Sequence, residues 1–188
     1  LRNEVGRENV FFIHVTWLPY IGATGEIKTK PTQHSVAALR SIGISPNMII
    51  ARSDHPVDKD ICDKIALFCD VEKDSVIPMK TASVLYEVPL MLEELGVGEL
   101  MLNKLGLKAS KKPDMRPWQK LVDEVKKEKP TVNVALVGKY VEHHDAYKSL
   151  TEAITHGGLR QRIQVEILRV ESEDLDGGDL SQIRDADA

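Results

Sequence analysis

Lys28 and Lys30 stand two residues apart in the run Gly25-Glu26-Ile27-Lys28-Thr29-Lys30-Pro31-Thr32-Gln33-His34. Alternate residues of an extended segment point to the same side, so the two ammonium groups converge on one point. Pro31 ends the extended run and pre-sets the backbone for a turn or a first helical position. Thr32, Gln33 and Ser35 then fall where a helix offers unpaired N–H groups and the positive end of its dipole. Two lysines meeting a helix start make a site for a polyphosphate. A solvated basic loop is the competing reading of the same residues.

Other residues can carry chemistry. Arg52 and the segment Lys80-Thr81-Ala82 each follow a predicted strand, and ligands of open α/β sheets bind at strand C-terminal ends. A surface ion pair would also use Arg52. Lys64 borders an apolar helical stripe, where a lysine ordinarily extends its head to solvent. Gly138-Lys139-Tyr140 lacks the glycine spacing of a phosphate loop, and structural roles are expected for Tyr140 and Tyr147. His143-His144 has no partner cluster with metal-ligand spacing. Cys62 and Cys69 lie about 10 Å apart along a predicted helix axis, too far for a disulfide. They read as buried free thiols.

The elements that position these residues follow from pattern. Val10–Trp17 reads as a buried strand, then a loop over 19–24. A helix over 33–42 stops at Gly43. Asn47–Ala51 is a short strand, and Asp58 caps a helix through Cys69 with Ile61, Ile65 and Phe68 on one stripe. Ser75–Met79 is a weak strand. Pro89 opens a helix that ends at Gly96, with a helical piece at 100–105. Pro117 opens another, striped by Trp118, Leu121, Val122 and Val125, and Lys126–Pro130 ends it. Thr131–Gly138 is a near-continuous apolar run, as in a parallel strand covered on both faces. Asp145 caps a helix stopped by Gly157-Gly158, a strand follows over 163–170, and Asp176–Asp179 forms a turn. This order predicts an α/β fold with parallel sheets and a boundary near residues 128–131.

The chain has 188 residues, 42% hydrophobic and 29% charged, with a formal net charge of −4. That composition is ordinary for a globular protein. The acidic balance argues against a general nucleic-acid binder. No apolar run reaches membrane-spanning length, and no signal peptide is visible. The start at Leu1 and the end at Ala188, where a further strand is due, read as those of a fragment.

The strings GEIKTKPTQHSV, RSIGISPNMIIARS, KIALFCDV and VALVGKYVEHHDAYKSLTEAITHGGL together resemble CTP synthase, the glutamine-dependent amidoligase that converts UTP to CTP. The resemblance runs from about Glu8 to the C-terminus. It implies that residues 1–128 are the C-terminal part, linker helix included, of a Rossmann-like, dethiobiotin synthetase-like amidoligase (synthetase) domain. The first β-α-β of a class I glutamine amidotransferase domain follows over 129–188. It assigns Lys28, Thr29, Lys30, Pro31, Thr32, Gln33 and Lys64 to UTP or to the feedback inhibitor CTP. Arg52, Lys80, Thr81 and Ala82 fall to ATP, although other members often carry Asp-Val where this chain has Thr81-Ala82. Mg²⁺ is expected with ATP through ligands outside this chain, as are the catalytic residues of glutamine hydrolysis. Glutamine as ammonia source, GTP as activator, a homotetramer and a cytoplasmic location are implied for the whole enzyme, with no nucleic-acid or membrane partner. The fragment alone is expected to be inactive. A non-catalytic nucleotide-binding regulator and a purely structural α/β module are the rival classes.

Overall fold

The apolar runs of the sequence become parallel strands. The computed structural model describes residues 2–178 and 180–188, and the chain divides into two units, Leu1–Gln119 and Lys120–Ala188. The first begins with a short helix, α1 (Arg2–Val5), and β1 (Ile13–Trp17). A small hairpin of β2 (Tyr20–Ile21) and β3 (Glu26–Ile27) follows, then α2 (Lys30–Ser41) and β4 (Met48–Ser53). α3 (Lys59–Cys69), β5 (Val76–Lys80), α4 (Val88–Glu94) and α5 (Val97–Lys104) complete the series. Strands β1, β4 and β5 form one parallel sheet in that order, with Ile13 opposite Met48 and Ile49 opposite Val76.

Strand alternation sorts side chains to two faces. Ile49 and Ala51 of β4 enter a core with Val36 of α2 and with Cys62, Ile65 and Cys69 of α3. Met48 and Ile50 enter a second core with Ile77, Met79 and Val97, against which Met91, Leu92 and Leu100 pack. Helices thus cover both faces of β4 and β5, which explains their near-continuous apolar character.

Local signals set the helix ends. Gly43 has φ 85°, and the N–H groups of Gly43 and Ile44 donate to the carbonyls of Arg40 and Leu39. This is a Schellman stop, as the glycine predicts. Asp70 ends α3 with φ 47°, and the Arg40 guanidinium donates to the carbonyls of Cys69 and Asp70, tying the ends of α2 and α3 together. The helix expected to start at Gln33 begins three residues earlier, at Lys30, with Pro31 in its first turn. The first strand is shorter than expected. At Phe12 the Asn47 side chain replaces a strand partner, accepting the Phe12 N–H at 2.8 Å. The segment expected as a loop over 19–24 contains the β2 strand, paired with β3.

Helix α6 (Arg116–Lys126) crosses the division between the units. The second unit holds β6 (Thr131–Gly138), α7 (Lys148–Gln161) and β7 (Gln164–Glu171). β6 and β7 pair in parallel from Thr131↔Gln164 to Gly138↔Glu171. The C-terminal residues lie along β6, where Ala135 N–H donates to the Ala188 carbonyl at 2.7 Å and Asp187 N–H to Asn133 at 2.8 Å.

Gly157-Gly158 does not stop α7, contrary to expectation. The helix runs on to Gln161, and Arg162 takes the left-handed cap position with φ 59°. A Cβ on Gly158 would lie 2.6 Å from Val165 Cγ2, so this glycine lets the helix approach β7. Of the expected turn at 176–179, Gly178 adopts φ 79° and Asp179 lies outside the described residues.

Candidate functional site

Two cavities open in the first unit at the C-terminal ends of its strands. The larger, of about 760 Å³, is lined by Tyr20, Gly25, Glu26, Ile27, Lys28, Thr29, Lys30, His55, Pro56, Asp58, Ile61 and Lys64. The β2–β3 hairpin delivers Lys28, whose N–H donates to the Pro19 carbonyl at 2.9 Å. The β3–α2 junction delivers Thr29 and Lys30, and helix α3 brings Lys64 from more than thirty residues downstream. Three ammonium groups meet two carboxylates, Glu26 and Asp58, leaving an excess of positive charge.

The helix start that carries the lysines is anchored in the core. Thr32 is fully buried, and its hydroxyl is 3.0 Å from that of Thr16 on β1. Thr29 is also buried, and its Oγ1 accepts a hydrogen bond from Gln33 Nε2 at 3.1 Å. Pro31, Thr32 and Gln33 are not among the residues lining the cavity. The cavity rim is polar and aromatic. Tyr20 stacks on His55 with ring centroids 3.8 Å apart, and the His55 N–H donates to Ser53 Oγ at 3.1 Å. The hydrogen bond from Lys28, and then the charges of Lys28 and Lys64, hold the Glu26 carboxyl below the usual carboxylate range. An anion with several charges along a chain fits this arrangement, because lysines act as compact donors that need no fixed plane.

The second cavity, of about 440 Å³, is lined by Val15, Ile50, Arg52, Met79, Lys80, Thr81, Ala82, Leu85, Val88 and Leu92. It lies on the sheet face of Met48, Ile50 and Met79. Its walls are mostly apolar, with polar groups at the strand ends, as small-molecule pockets usually are. The Arg52 guanidinium lies over the Trp17 ring, 5.6 Å from its centroid. Thr81 is held twice, by its N–H to the Ser53 carbonyl at 3.0 Å and by its hydroxyl to Asp54 at 2.6 Å.

Residues far apart in sequence are therefore brought together in two sets, Lys28, Thr29, Lys30 and Lys64 in one cavity and Arg52, Lys80, Thr81 and Ala82 in the other. Sequence reasoning missed Tyr20, Glu26, His55, Asp58 and Ile61 as lining residues. Glu26 carried a usable signal, since it stands at i−2 from Lys28. Tyr20 and His55 carried none, because only the fold stacks them.

The glycine–lysine–tyrosine turn of the second unit is built structurally. The Glu171 carboxylate accepts the N–H groups of Tyr140 and Val141 at 3.1 and 2.8 Å. The Tyr147 hydroxyl donates to the Lys139 carbonyl at 2.9 Å and fills the space that a Gly138 Cβ would need. Cys62 and Cys69 are buried and unbridged. Burial pushes both thiols up from their ordinary range, Asp63 and Asp58 adding to the effect at Cys62. Neither has the character of an activated nucleophile.

A family model described as the CTP synthase N-terminus matches residues 1–107. The CTP synthase of Roseiflexus sp. (strain RS-1) is 53% identical over 176 residues, covering 94% of this chain and 31% of that protein. That of Thermomicrobium roseum is 53% identical over 172 residues, covering 92% of this chain and 31% of the relative. That of Ruminiclostridium cellulolyticum is 49% identical over 179 residues, covering 95% and 33%. The chain spans about a third of the length of the curated relatives it matches.

Proposed function

The chain belongs to the CTP synthase family, and from that premise we propose that it is part of a ligase converting UTP to CTP with ATP and glutamine. The observation that carries the reading is the meeting of Lys28, Lys30 and Lys64 in one cavity. In this reading the three ammonium groups hold the triphosphate of UTP, and of CTP as feedback inhibitor. Thr29 lies between them, and Pro31, Thr32 and Gln33 fix the helix start from which Lys30 projects. The second cavity receives the adenine end of ATP against Ile50 and Met79, with Lys80, Thr81 and Ala82 at its mouth and Arg52 beside it.

The reaction proceeds by phosphoryl transfer from ATP to the uracil O4, leaving ADP. Ammonia then attacks C4 and inorganic phosphate departs. This chain binds and orients the two nucleotides. The activation of ammonia belongs to a glutaminase site, whose opening β-α-β we place at 129–188, after a synthetase part at 1–128. The β6–α7–β7 order with a parallel pair supports that placement. The amidoligase part would be dethiobiotin synthetase-like and would lie toward the C-terminal end of the synthetase domain. Mg²⁺ would neutralise the ATP phosphates. Among the described residues no three His, Cys, Asp or Glu side chains gather as a ligand set. The whole enzyme would be a cytoplasmic homotetramer activated by GTP. No described helix is long and apolar enough to cross a membrane.

The test uses the full-length protein. Lys28→Ala and Lys30→Ala should each weaken UTP and CTP together, because both ligands present the same phosphates. A lost hydrogen bond to a charged group is worth roughly 1.5–3 kcal/mol, about tenfold to more than a hundredfold in affinity. Calorimetry showing unchanged affinity in both variants would return the stretch to a solvated loop.

A further inference from the structure

Lys28 does not stand in its cavity with an unengaged charge. Its ammonium donates to the Glu26 carboxylate and forms an ion pair with it. The pairing follows from β3, since Glu26 and Lys28 flank Ile27 of that strand at i and i+2 and so share a side. The hairpin holds the geometry. Glu26 sits opposite Ile21 in the β2–β3 pair, and the Lys28 N–H is tied to Pro19. Both side chains line the cavity. The field of Lys64 reaches the same carboxylate.

We propose that Glu26 is an internal competitor for the phosphate chain, its carboxylate occupying the Lys28 ammonium in the empty site and leaving when a triphosphate arrives. The inference rests on the triphosphate reading of this cavity. A phosphate oxygen and a carboxylate oxygen repel each other when brought to one ammonium group. Binding therefore exchanges one ion pair for another, and the measured affinity is the difference between them. Glu26 has somewhere to go, because its side chain is 61% exposed while that of Lys28 is 39% exposed. The exchange lowers affinity for any polyphosphate without touching recognition of the base. It also discourages lone small anions, which gain too few contacts to displace the carboxylate.

The experiment is a double-mutant cycle in the full-length protein, titrated with inorganic triphosphate so that no base contributes. Glu26→Gln preserves side-chain length and removes the charge. It should bind triphosphate about two- to fivefold more tightly than the wild type, the range expected for an exposed ion pair. The gain should vanish when Lys28 is already alanine. Unchanged or weaker binding in Glu26→Gln overturns the inference. So does an equal gain with and without Lys28, which would mean a diffuse field and no competition for that ammonium. Both of these outcomes leave the triphosphate reading standing. Wild-type affinity in Lys28→Ala overturns the inference, and wild-type affinity in Lys30→Ala as well overturns the reading with it.

Discussion

Replacing Lys64 with alanine tests whether the fold, and not only the KTK string, makes the anion site. Lys64 reaches the cavity from α3, and Lys28 and Lys30 reach it from the other side of the sequence. A hydrogen bond to a charged group is worth about 1.5–3 kcal/mol. The Lys64 side chain is exposed, so water already satisfies its ammonium in the empty site. The lower end of that range applies, and the dissociation constants for UTP and CTP should rise about tenfold. Alanine is a strong helix former, and Lys64 lies outside the buried set of Cys62, Ile65 and Ala66 on α3. The thermal unfolding midpoint should therefore stay close to that of the wild type. Lys64→Arg keeps the charge and should recover part of the lost affinity. Calorimetry at two salt concentrations should also show a shallower salt dependence in the alanine variant. Affinity within twofold of wild type for both nucleotides, in a variant with unaltered unfolding, would remove α3 from the site.

Two further outcomes concern the scaffold. Gly157→Ala should stabilise the full chain by up to about 1 kcal/mol, because a helical glycine costs that much relative to alanine and a Cβ there meets no atom within 4 Å. Gly158→Ala should destabilise by about 1–3 kcal/mol through overpacking, since its Cβ would fall 2.6 Å from Val165 Cγ2 and 3.2 Å from the Ile163 carbonyl. Chemical denaturation that moves both variants in the same direction would refute the packing argument. Cys62 and Cys69 should resist iodoacetamide at neutral pH until the protein is unfolded, as followed by mass spectrometry. Burial raises both thiol pKa values in the folded state. The resulting stability is thus present in full below the unfolded thiol value, about 8.5, and is lost as pH rises above it. Rapid labelling of the folded chain would contradict the burial.

Much of the architecture was legible in the residues because the rules involved are local. Gly43 stops α2 in the left-handed position that only glycine adopts easily. Pro31 sits in the first turn of the helix whose start it announces. The apolar run 131–138 becomes β6 over the same residues, although the expected cover on both faces is not seen: only Leu136 of the run is buried, and Val137 is exposed. The i, i+2 argument for Lys28 and Lys30 did not survive folding: Thr29 between them takes right-handed helical angles, φ −94° and ψ −16°, and Lys30 already opens α2, so the β3–α2 junction brings the two lysines to one cavity.

Contacts between distant segments lay beyond these rules. Gly157-Gly158 has the composition of a helix stop, and only the approach of Val165 shows that Gly158 is a packing residue inside α7. Thr32 precedes a helical stretch as a hydroxyl free to bond a ligand, yet β1 brings Thr16 against it and buries it. The Tyr20–His55 stack joins a hairpin to a loop after β4. The sequence alone determined most of the strands and helices, because backbone geometry repeats over a few residues. Family resemblance alone groups Lys64 with the other lysines, and only the tertiary structure brings Lys64 of α3 and the stacked Tyr20 and His55 to their cavity. Those placements depend on how a parallel sheet stacks its connecting loops at one edge, and no short-range pattern encodes that.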